Sequence, residues 1–581
     1  MHRAGIVLSG AFDSGEWVNL SSAIKLGTGR GRLSDRGGGT LWYVTALLVA
    51  ALVSIPVIVV ASSVFVPTGD VWAHLSSTVL PRYVSNSLIL LAGVGIGTFV
   101  IGVGTAWLVT MYQFPGRVVF EWALFLPFAM PAYVLAYTYT GLFEFAGPFQ
   151  TFLREAFDWT RHDYWFPPVR SLGGAIWMLT FVLYPYVYLL SRAAFIEQSV
   201  CVMEVSRTMG RTRLRTFFSV GLPLARPAIV AGLSFALIET LNDFGTVQYF
   251  AVDTFTTGIF RTWIGLGEPM AAIQLAAILM IFVFAVILLE RWSRGAGRVH
   301  HTSSRHQTLP RFRLSTPLAL AASLACFLPV LFGFLLPTSA LVVWSVETAE
   351  QMINLDFLTY ALNSFVLASL TAVLAVAVGL FLSYGQRLRG GFVMGLATRV
   401  SSMGYAIPGA VVAVGVLFVY AAFDRTVGGW LQSAFGYSPG LILTGTVAGV
   451  VFAYLVRFLA ISLSTTEAGL AKITPNMDAA ARSLGHSPNA VLRKVHAPLM
   501  WGSLLTAAML VFVDVMKELP ATIILRPFNF DTLAIRAYQL ASDERLADAS
   551  SSALAIVLVG IIPVIMLSVA IARSRAGHRD D

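Results

Sequence analysis

Long apolar runs recur along the whole chain and limit what it can fold into. Clear examples are residues 41–65, 318–344 and 553–572. Each is long enough to cross about 30 Å of hydrocarbon as a helix. Every backbone polar group in lipid needs an internal partner, so such runs should be helical. The alternating pattern of a membrane β-barrel is absent. The sequence therefore predicts an all-α polytopic membrane protein.

The apolar runs predict twelve transmembrane helices, grouped as two halves of six. The predicted helices are residues 41–65, 86–110, 119–143, 171–192, 227–250, 269–290, 316–345, 363–385, 392–422, 439–462, 499–525 and 549–572. The first half is residues 41–290 and the second is residues 316–572, with a basic linker at 291–315. Residues 1–40 and 573–581 are predicted to be cytoplasmic tails, because arginine-rich segments stay on the cytoplasmic side.

The two halves are copies of one unit. Asn86-Ser87 and Pro131 recur as Asn363-Ser364 and Pro408, at an offset of 277. Further matches occur at an offset of 275: Arg207 with Arg482, Gly210 with Gly485, Pro223 with Pro498, and Arg261 with Arg536. Six helices per copy is an even number, so both copies enter the membrane from the same side. The repeat is therefore predicted to be parallel, with a pseudo-twofold axis along the membrane normal.

Two charged segments, residues 204–223 and 479–498, follow the fourth predicted helix of each half. Each combines a glycine that can end a helix, a good N-cap and a later proline. These residues are Gly210, Thr212 and Pro223 in the first segment, and Gly485, Ser487 and Pro498 in the second. Apolar side chains, including Phe217 and Leu492, lie among the basic ones. A single copy could be an ordinary basic loop, but two copies in register favour a docking element. We call these segments the first and second elbows.

The first elbow resembles the E-A-A signature loop of ABC importer permeases. Glu204-Val205-Ser206 and Gly210 match that loop, and Leu222-Pro223 closes the motif. The resemblance implies a type I permease fold in a bacterial inner membrane, with both termini cytoplasmic. It also implies two partner ATPases, one docked at each elbow, and a periplasmic solute-binding protein. The second elbow departs from the motif, since Ala479 replaces the glutamate and Asp478 lies one residue earlier.

Residues 517–550 resemble the fused twelve-helix permeases of ferric-iron importers. Permeases for thiamine, putrescine and phosphonate are relatives of that group, so these solutes are alternatives. The resemblance implies that the chain forms the pathway for a small solute, with ferric iron as the leading substrate.

Several charges lie within predicted membrane spans, where ionisable groups usually face a cavity or a partner. Glu239 and Asp243 align with Asp514 and Glu518 at the offset of 275, and Lys517 lies between the latter two. Their spacing predicts that Asp514, Lys517 and Glu518 share one helical face. Two readings stay open: a polar translocation path, or a structural ion pair between the halves in which Lys517 neutralises a carboxylate.

No G-x-x-x-x-G-K-[ST] phosphate loop occurs, so ATP hydrolysis is expected on partner chains and the chain is not expected to be an enzyme. No cofactor or metal site is predicted. His300, His301 and His306 fall in the linker, where a solvated segment is favoured over a metal site. A secondary transporter with twelve helices is the alternative of another class. It would couple through membrane carboxylates and gives no reason for paired elbows, and ATP dependence of uptake separates the two.

Overall fold

A computed structural model describes residues 38–67, 69–197, 213–294, 312–471 and 473–573. We call residues 38–294 the N-terminal half and residues 312–573 the C-terminal half. Glu204, Gly210 and Thr212 of the first elbow lie outside the described residues, as do the three linker histidines.

The N-terminal half is built from helices with one short strand. The helices are α1 (Gly38–Ser62), α2 (Gly69–Thr78), α3 (Leu80–Met111), α4 (Arg117–Ala123), α5 (Ala132–Phe143), α6 (Pro148–Phe157), α7 (Leu172–Glu197), α8 (Arg213–Thr216), α9 (Leu222–Asn242), α10 (Gly245–Tyr249), α11 (Phe255–Phe260) and α12 (Pro269–Arg294). Single 3₁₀ or π turns continue some of them: Ser63–Phe65, Leu126–Ala129, Phe217–Gly221 and Arg261–Gly265.

The C-terminal half repeats this arrangement. Its helices are α13 (Thr316–Val330), α14 (Leu336–Met352), α15 (Leu355–Arg389), α16 (Gly391–Ser401), α17 (Gly409–Phe435), α18 (Val447–Ala471), α19 (Pro475–Ser483), α20 (Pro488–Val491), α21 (Ala497–Leu499), α22 (Trp501–Met516), α23 (Pro520–Leu525), α24 (Leu533–Ser542) and α25 (Leu546–Arg573). Its 3₁₀ and π turns are Leu331–Leu335, Met403–Ala406 and Leu492–His496. Strand β1 (Tyr112–Gln113) pairs in parallel with β2 (Phe312–Arg313), which fixes the start of this half to the other.

Ten helices in the described part of the chain are long and apolar enough to cross a membrane, or up to twelve if two bent pairs each count as one span. The bends are 94° between Arg117–Ala129 and Ala132–Phe157, and 77° between Pro488–Leu499 and Trp501–Met516. The all-α polytopic fold is therefore confirmed. Four predicted helices are wrong as continuous segments. Segment 119–143 breaks after Ala123, 227–250 after Asn242, 392–422 after Ser401 and 499–525 after Met516.

Each half has a core of three helices at equivalent positions. α3, α7 and α9 pack together in the N-terminal half, and α15, α18 and α22 pack together in the C-terminal half. Equivalent glycines allow the closest approach: a Cβ on Gly102 would lie 2.7 Å from the Val187 side chain, and one on Gly379 would lie 2.7 Å from the Ser462 hydroxyl. Small residues of this kind let membrane helices pack backbone to backbone. The sequence repeat is thus also a repeat of packing.

The repeated Asn-Ser pairs also make equivalent contacts. The Asn86 side-chain amide donates to the Asp253 carbonyl oxygen at 2.8 Å, and that of Asn363 donates to the Asp531 carbonyl oxygen at 3.0 Å. Each bond ties the second long helix of its half to the loop before the half's last helices. The constant offset between the two copies therefore reflects a tertiary contact that occurs in both halves.

The halves exchange their first helices. α1 packs against α16 and α17 of the C-terminal half, and the ring of Trp42 stacks on Phe381 in α15 at 4.3 Å. α14 in turn contacts α5, and α25 packs against α5 and the Leu126–Ala129 turn of the N-terminal half. These contacts bind the halves together outside their cores.

Candidate functional site

The second elbow has the backbone conformation that its sequence predicts. Gly485 follows α19 with a φ of 80°, in the left-handed region that favours glycine. Its N–H donates to the Arg482 carbonyl at 2.9 Å, and the N–H of His486 donates to the Ala481 carbonyl at 3.2 Å. These bonds satisfy carbonyls that the helix end leaves free. Gly485 therefore sets the angle between α19 and the helix that follows.

Ser487 and Pro488 begin that second helix. The Ser487 hydroxyl accepts from the Ala490 N–H at 3.4 Å, and Pro488 occupies the first helical turn, where its missing N–H costs nothing. Leu492 is half-buried and starts the π turn, whereas Pro498 is exposed in α21. A sharp turn at Met500 then leads into α22.

A polar cluster holds the second elbow against α15. The two carboxylate oxygens of Asp478 accept from Arg387 Nε at 2.8 Å and bond His496 Nε2 at 2.6 Å. Arg387 also donates to the Leu470 and Ile473 carbonyls, at 2.6 and 2.8 Å. Burial alone would raise the pKa of Asp478, but the bonds from Arg387 and His496 outweigh it and hold that pKa below its ordinary value. Both oxygens of Asp478 are thus engaged within the chain.

The described part of the first elbow is held by aromatic rings instead. Phe217 lies 4.9 Å from Trp107 and 6.5 Å from Phe195 between ring centroids. Trp107 corresponds to Tyr384 at the offset of 277, and Gly221, whose Cβ would lie 2.8 Å from Trp107, corresponds to His496 at the offset of 275. The two elbows therefore have equivalent positions but different chemistry.

Both elbows expose apolar side chains beside basic ones. Phe218 in the first is 64% exposed, and Leu484 in the second is 78% exposed. Arg493 and Lys494 are exposed in the second elbow, and Pro223 is exposed at the start of α9. This mixture suits a docking surface for an acidic or mixed partner face.

A polar cavity of about 130 Å³ lies between the halves. Four carboxylates and two cations line it, which leaves a formal charge of −2. The charged lining residues are Glu239, Asp243, Asp514 and Glu518, with Arg457 and Lys517. The structure thus brings all five predicted membrane charges together, and adds an arginine that the prediction did not include.

Asp243 and Glu518 cap the helices that restart after two of the four breaks. Asp243 accepts from the Val247 N–H at 3.0 Å and the Thr246 hydroxyl at 2.9 Å. Glu518 accepts from the N–H groups of Ala521 and Thr522 at 3.2 Å. These carboxylates satisfy backbone donors that would otherwise lack partners in the membrane. These two breaks were missed because capping residues inside an apolar run look like isolated charges.

Arg457 joins the two halves. It donates to Glu518 at 2.7 Å and lies 3.8 Å from Glu239, which belongs to the other half. Lys517 pairs with Asp514 at 2.9 Å instead. The predicted shared face is confirmed for Asp514 and Lys517, which pair three residues apart, but Glu518 lies beyond the end of α22 at Met516. The ion pair between the halves exists, but its cation is Arg457.

Sequence reasoning could have found Arg457. It is a lone arginine in the apolar run VFAYLVRFLA, residues 451–460, and a charge in such a run calls for a buried partner. Tyr186, Tyr405 and Asn242 also line the cavity. Nothing in their local sequence distinguishes them from other polar residues of membrane helices.

Known proteins resemble this chain over most of its length. Residues 98–292 and 375–577 each match the family described as the binding-protein-dependent transport system inner membrane component. The Fe(3+)-transport system permease protein FbpB 2 of Haemophilus influenzae is 27% identical over 502 residues, covering 84% of this chain and 90% of that protein. The ferric transport system permease protein FbpB of Actinobacillus pleuropneumoniae is 25% identical, covering 83% and 70%.

Relatives named for other solutes match less of the chain. The sulfate transport system permease protein CysT of Salmonella typhimurium is 34% identical over 152 residues, which cover 26% of this chain and 52% of that protein. The family match, by contrast, occurs twice and takes in both elbows and both sides of the cavity. The chain therefore belongs to the family of binding-protein-dependent transport system inner membrane components, as a fused protein with two copies of the family unit.

Proposed function

We propose that the chain is the permease of an importer for ferric iron, driven by ATP hydrolysis on two partner ATPases. The observation that carries the proposal is the likeness to ferric permeases along more than four fifths of the chain. The shorter matches to sulfate and molybdenum permeases support the transport class alone.

The charge of the cavity favours a cation. Its lining has a formal charge of −2, and such a charge in a medium of low dielectric attracts a cation and repels an oxyanion. This supports iron over phosphonate among the solutes of related permeases. Thiamine and putrescine carry positive charge as well, so competition for uptake has to distinguish them from iron.

We propose that the elbows face the cytoplasm, with both termini on that side and residues 291–315 as a cytoplasmic linker. The proposed tails are residues 1–40 and 573–581, and the permease halves are residues 41–290 and 316–572. On the opposite side, α6 and the segment after it expose large aromatic side chains, with Phe152 63% and Trp165 83% exposed. This surface is our candidate for contact with a periplasmic solute-binding protein.

Each elbow would pass movement of an ATPase to the helices around the cavity. In the second, α19 is bound to α15 through Asp478, and α21 leads through the turn at Met500 into α22, which carries Asp514. Opening the cavity requires the halves to separate at their boundary. The pair formed by Arg457 and Glu239 crosses that boundary, so it would weaken in one of the two states.

Reconstitution tests this function. Proteoliposomes containing the permease with its co-purified ATPase, loaded with ATP, should take up radioactive ferric iron presented on the binding protein. Vesicles loaded with ADP are the control, and thiamine and putrescine are the competitors. Uptake that follows an imposed ion gradient without ATP would identify a secondary transporter and overturn the proposal.

A further inference from the structure

Four oxygen-donor side chains meet at the boundary between the halves. They are Tyr186 and Glu239 from the N-terminal half, and Tyr405 and Asp514 from the C-terminal half. All four line the cavity, and Tyr405 makes polar interactions with both Tyr186 and Glu239. We call this group the oxygen cluster. Each half thus supplies one phenol and one carboxylate.

The two carboxylates of the oxygen cluster differ from the other two in the cavity. Glu239 and Asp514 occupy equivalent positions at the offset of 275, and their side chains are 21% and 20% exposed. No backbone N–H that the structure describes donates to either of them, whereas Asp243 and Glu518 serve as helix caps. Their oxygens therefore face the cavity without a capping role.

A second observation points to a ligand in this cavity. The Asn242 side chain is 3% exposed and lines the cavity, yet neither its amide nitrogen nor its oxygen has a hydrogen-bond partner among the described residues. Tyr133 is 7% exposed, and its hydroxyl also has no hydrogen-bond partner among the described residues. Buried polar groups are seldom left unpaired, because leaving them so costs free energy. Water or a hydrated ion in the cavity would satisfy both.

We propose that the phenols of Tyr186 and Tyr405, with the two carboxylates beside them, form a transient site for ferric ion during its passage. This rests on the proposed iron substrate. Phenolate and carboxylate oxygens are hard donors, and a hard trivalent cation prefers them. No group of three His, Cys, Asp and Glu side chains within the described ranges could hold a metal, so the phenols are needed to complete the set. Each phenol that binds iron releases its proton to water in the cavity, and the iron stays ferric.

Two tethered cations keep this site weak. Arg457 lies 3.8 Å from Glu239, and Lys517 lies 2.9 Å from Asp514. Iron must compete with both for the same oxygens, which lowers its affinity. A site on a transport path needs this property, because binding has to be favourable enough for entry and weak enough for release.

Iron bound to phenolate has a visible charge-transfer absorption that carboxylates do not give. The full-length permease in mild detergent, titrated with ferric acetate, whose monodentate ligands a weak site can displace, should develop this band. Tyr186→Phe and Tyr405→Phe should each weaken it, and the double variant should lack it. Tyr437→Phe is the matched control, because Tyr437 is 62% exposed and lies outside the cavity. A wild-type protein without the band, or a double variant that keeps it, overturns the inference.

Uptake separates this inference from the proposed function. The double Tyr→Phe variant should take up iron about tenfold more slowly than wild type at equal membrane abundance, a change of about 1.4 kcal/mol in the barrier. Its ATPase binding should stay at the wild-type level, since the elbows are unchanged. ATP-dependent iron uptake that is as fast in the variant as in wild type overturns the oxygen cluster and leaves the proposed function standing. Wild-type protein that takes up no iron overturns both.

Discussion

Replacing Gly485 tests how the second elbow transmits force. We expect Gly485→Ala, and more strongly Gly485→Val, to impair uptake while the chain stays folded in the membrane. The left-handed backbone costs an L-residue about 1–2 kcal/mol. A Cβ at this position would meet nothing within 4 Å, so the effect comes from the backbone alone. That free energy would shift the elbow away from its docking conformation by roughly 5- to 30-fold.

The chain offers a matched control for this change. A Cβ on Gly502 also meets nothing within 4 Å, but Gly502 lies in α22 with ordinary helical φ, so Gly502→Ala should be neutral or slightly stabilising. Gly485→Asn should recover part of the loss, because asparagine tolerates the left-handed region. The measurements are co-purification of the ATPase and ATP-dependent iron uptake per permease in the membrane. Normal binding and uptake in Gly485→Val would refute the role of the elbow angle, and we expect Gly210→Val to behave in the same way.

Three further results are expected. Native mass measurement of the complex in mild detergent should give one permease chain with two ATPase copies, and a stable assembly with one copy would contradict this. The depressed pKa of Asp478 means that its bonds stabilise the elbow above the unfolded pKa of about 3.9 and are lost as pH falls through the folded value. Asp478→Ala should therefore weaken co-purification of the ATPase at pH 8, and equal recovery with the variant and the wild type would contradict this. Gly409→Ala should lower the melting temperature, because its Cβ would lie 2.6 Å from both Arg457 and Glu518, and overpacking costs about 1–3 kcal/mol. Gly428→Ala in the same helix is the control, and equal melting temperatures for the two variants would contradict the clash.

Local rules predicted the second elbow well. Gly485, Ser487 and Pro488 occupy positions whose backbone demands are specific, so the residue types alone indicated a helix end, a cap and a helix start. The constant offset between the two copies also indicated equivalent tertiary contacts, as the bonds of Asn86 and Asn363 show. Such features depend on neighbours in sequence or on a pattern that occurs twice.

The arrangement of residues around the cavity could not be predicted from the sequence in the same way. Glu518 pairs with Arg457, which lies in α18 and is 61 residues away in the sequence. No local sequence pattern predicts a contact over that separation. The helices break at Asp243 and Glu518 because each carboxylate accepts from a backbone N–H three or four residues later in the chain. The apolar residues on both sides of each carboxylate gave no sign of a helix end. The phenols of Tyr186 and Tyr405 meet only when the two halves pack.

The exchange of first helices affects the order of events during synthesis. α1 leaves the ribosome well before α16 and α17, its eventual neighbours between residues 391 and 435. At 5–20 residues per second, it waits roughly 20–75 s in the bilayer without them. Its composition suits that wait. Residues 42–65 have no charged side chain, and an 18-residue window within them has a mean hydropathy of 2.8, with only 28% of that window buried by protein in the folded structure. A nascent chain stalled before Pro269, where α12 begins, should therefore hold α1 as a span facing lipid, because the described helices that α1 contacts all lie beyond that point.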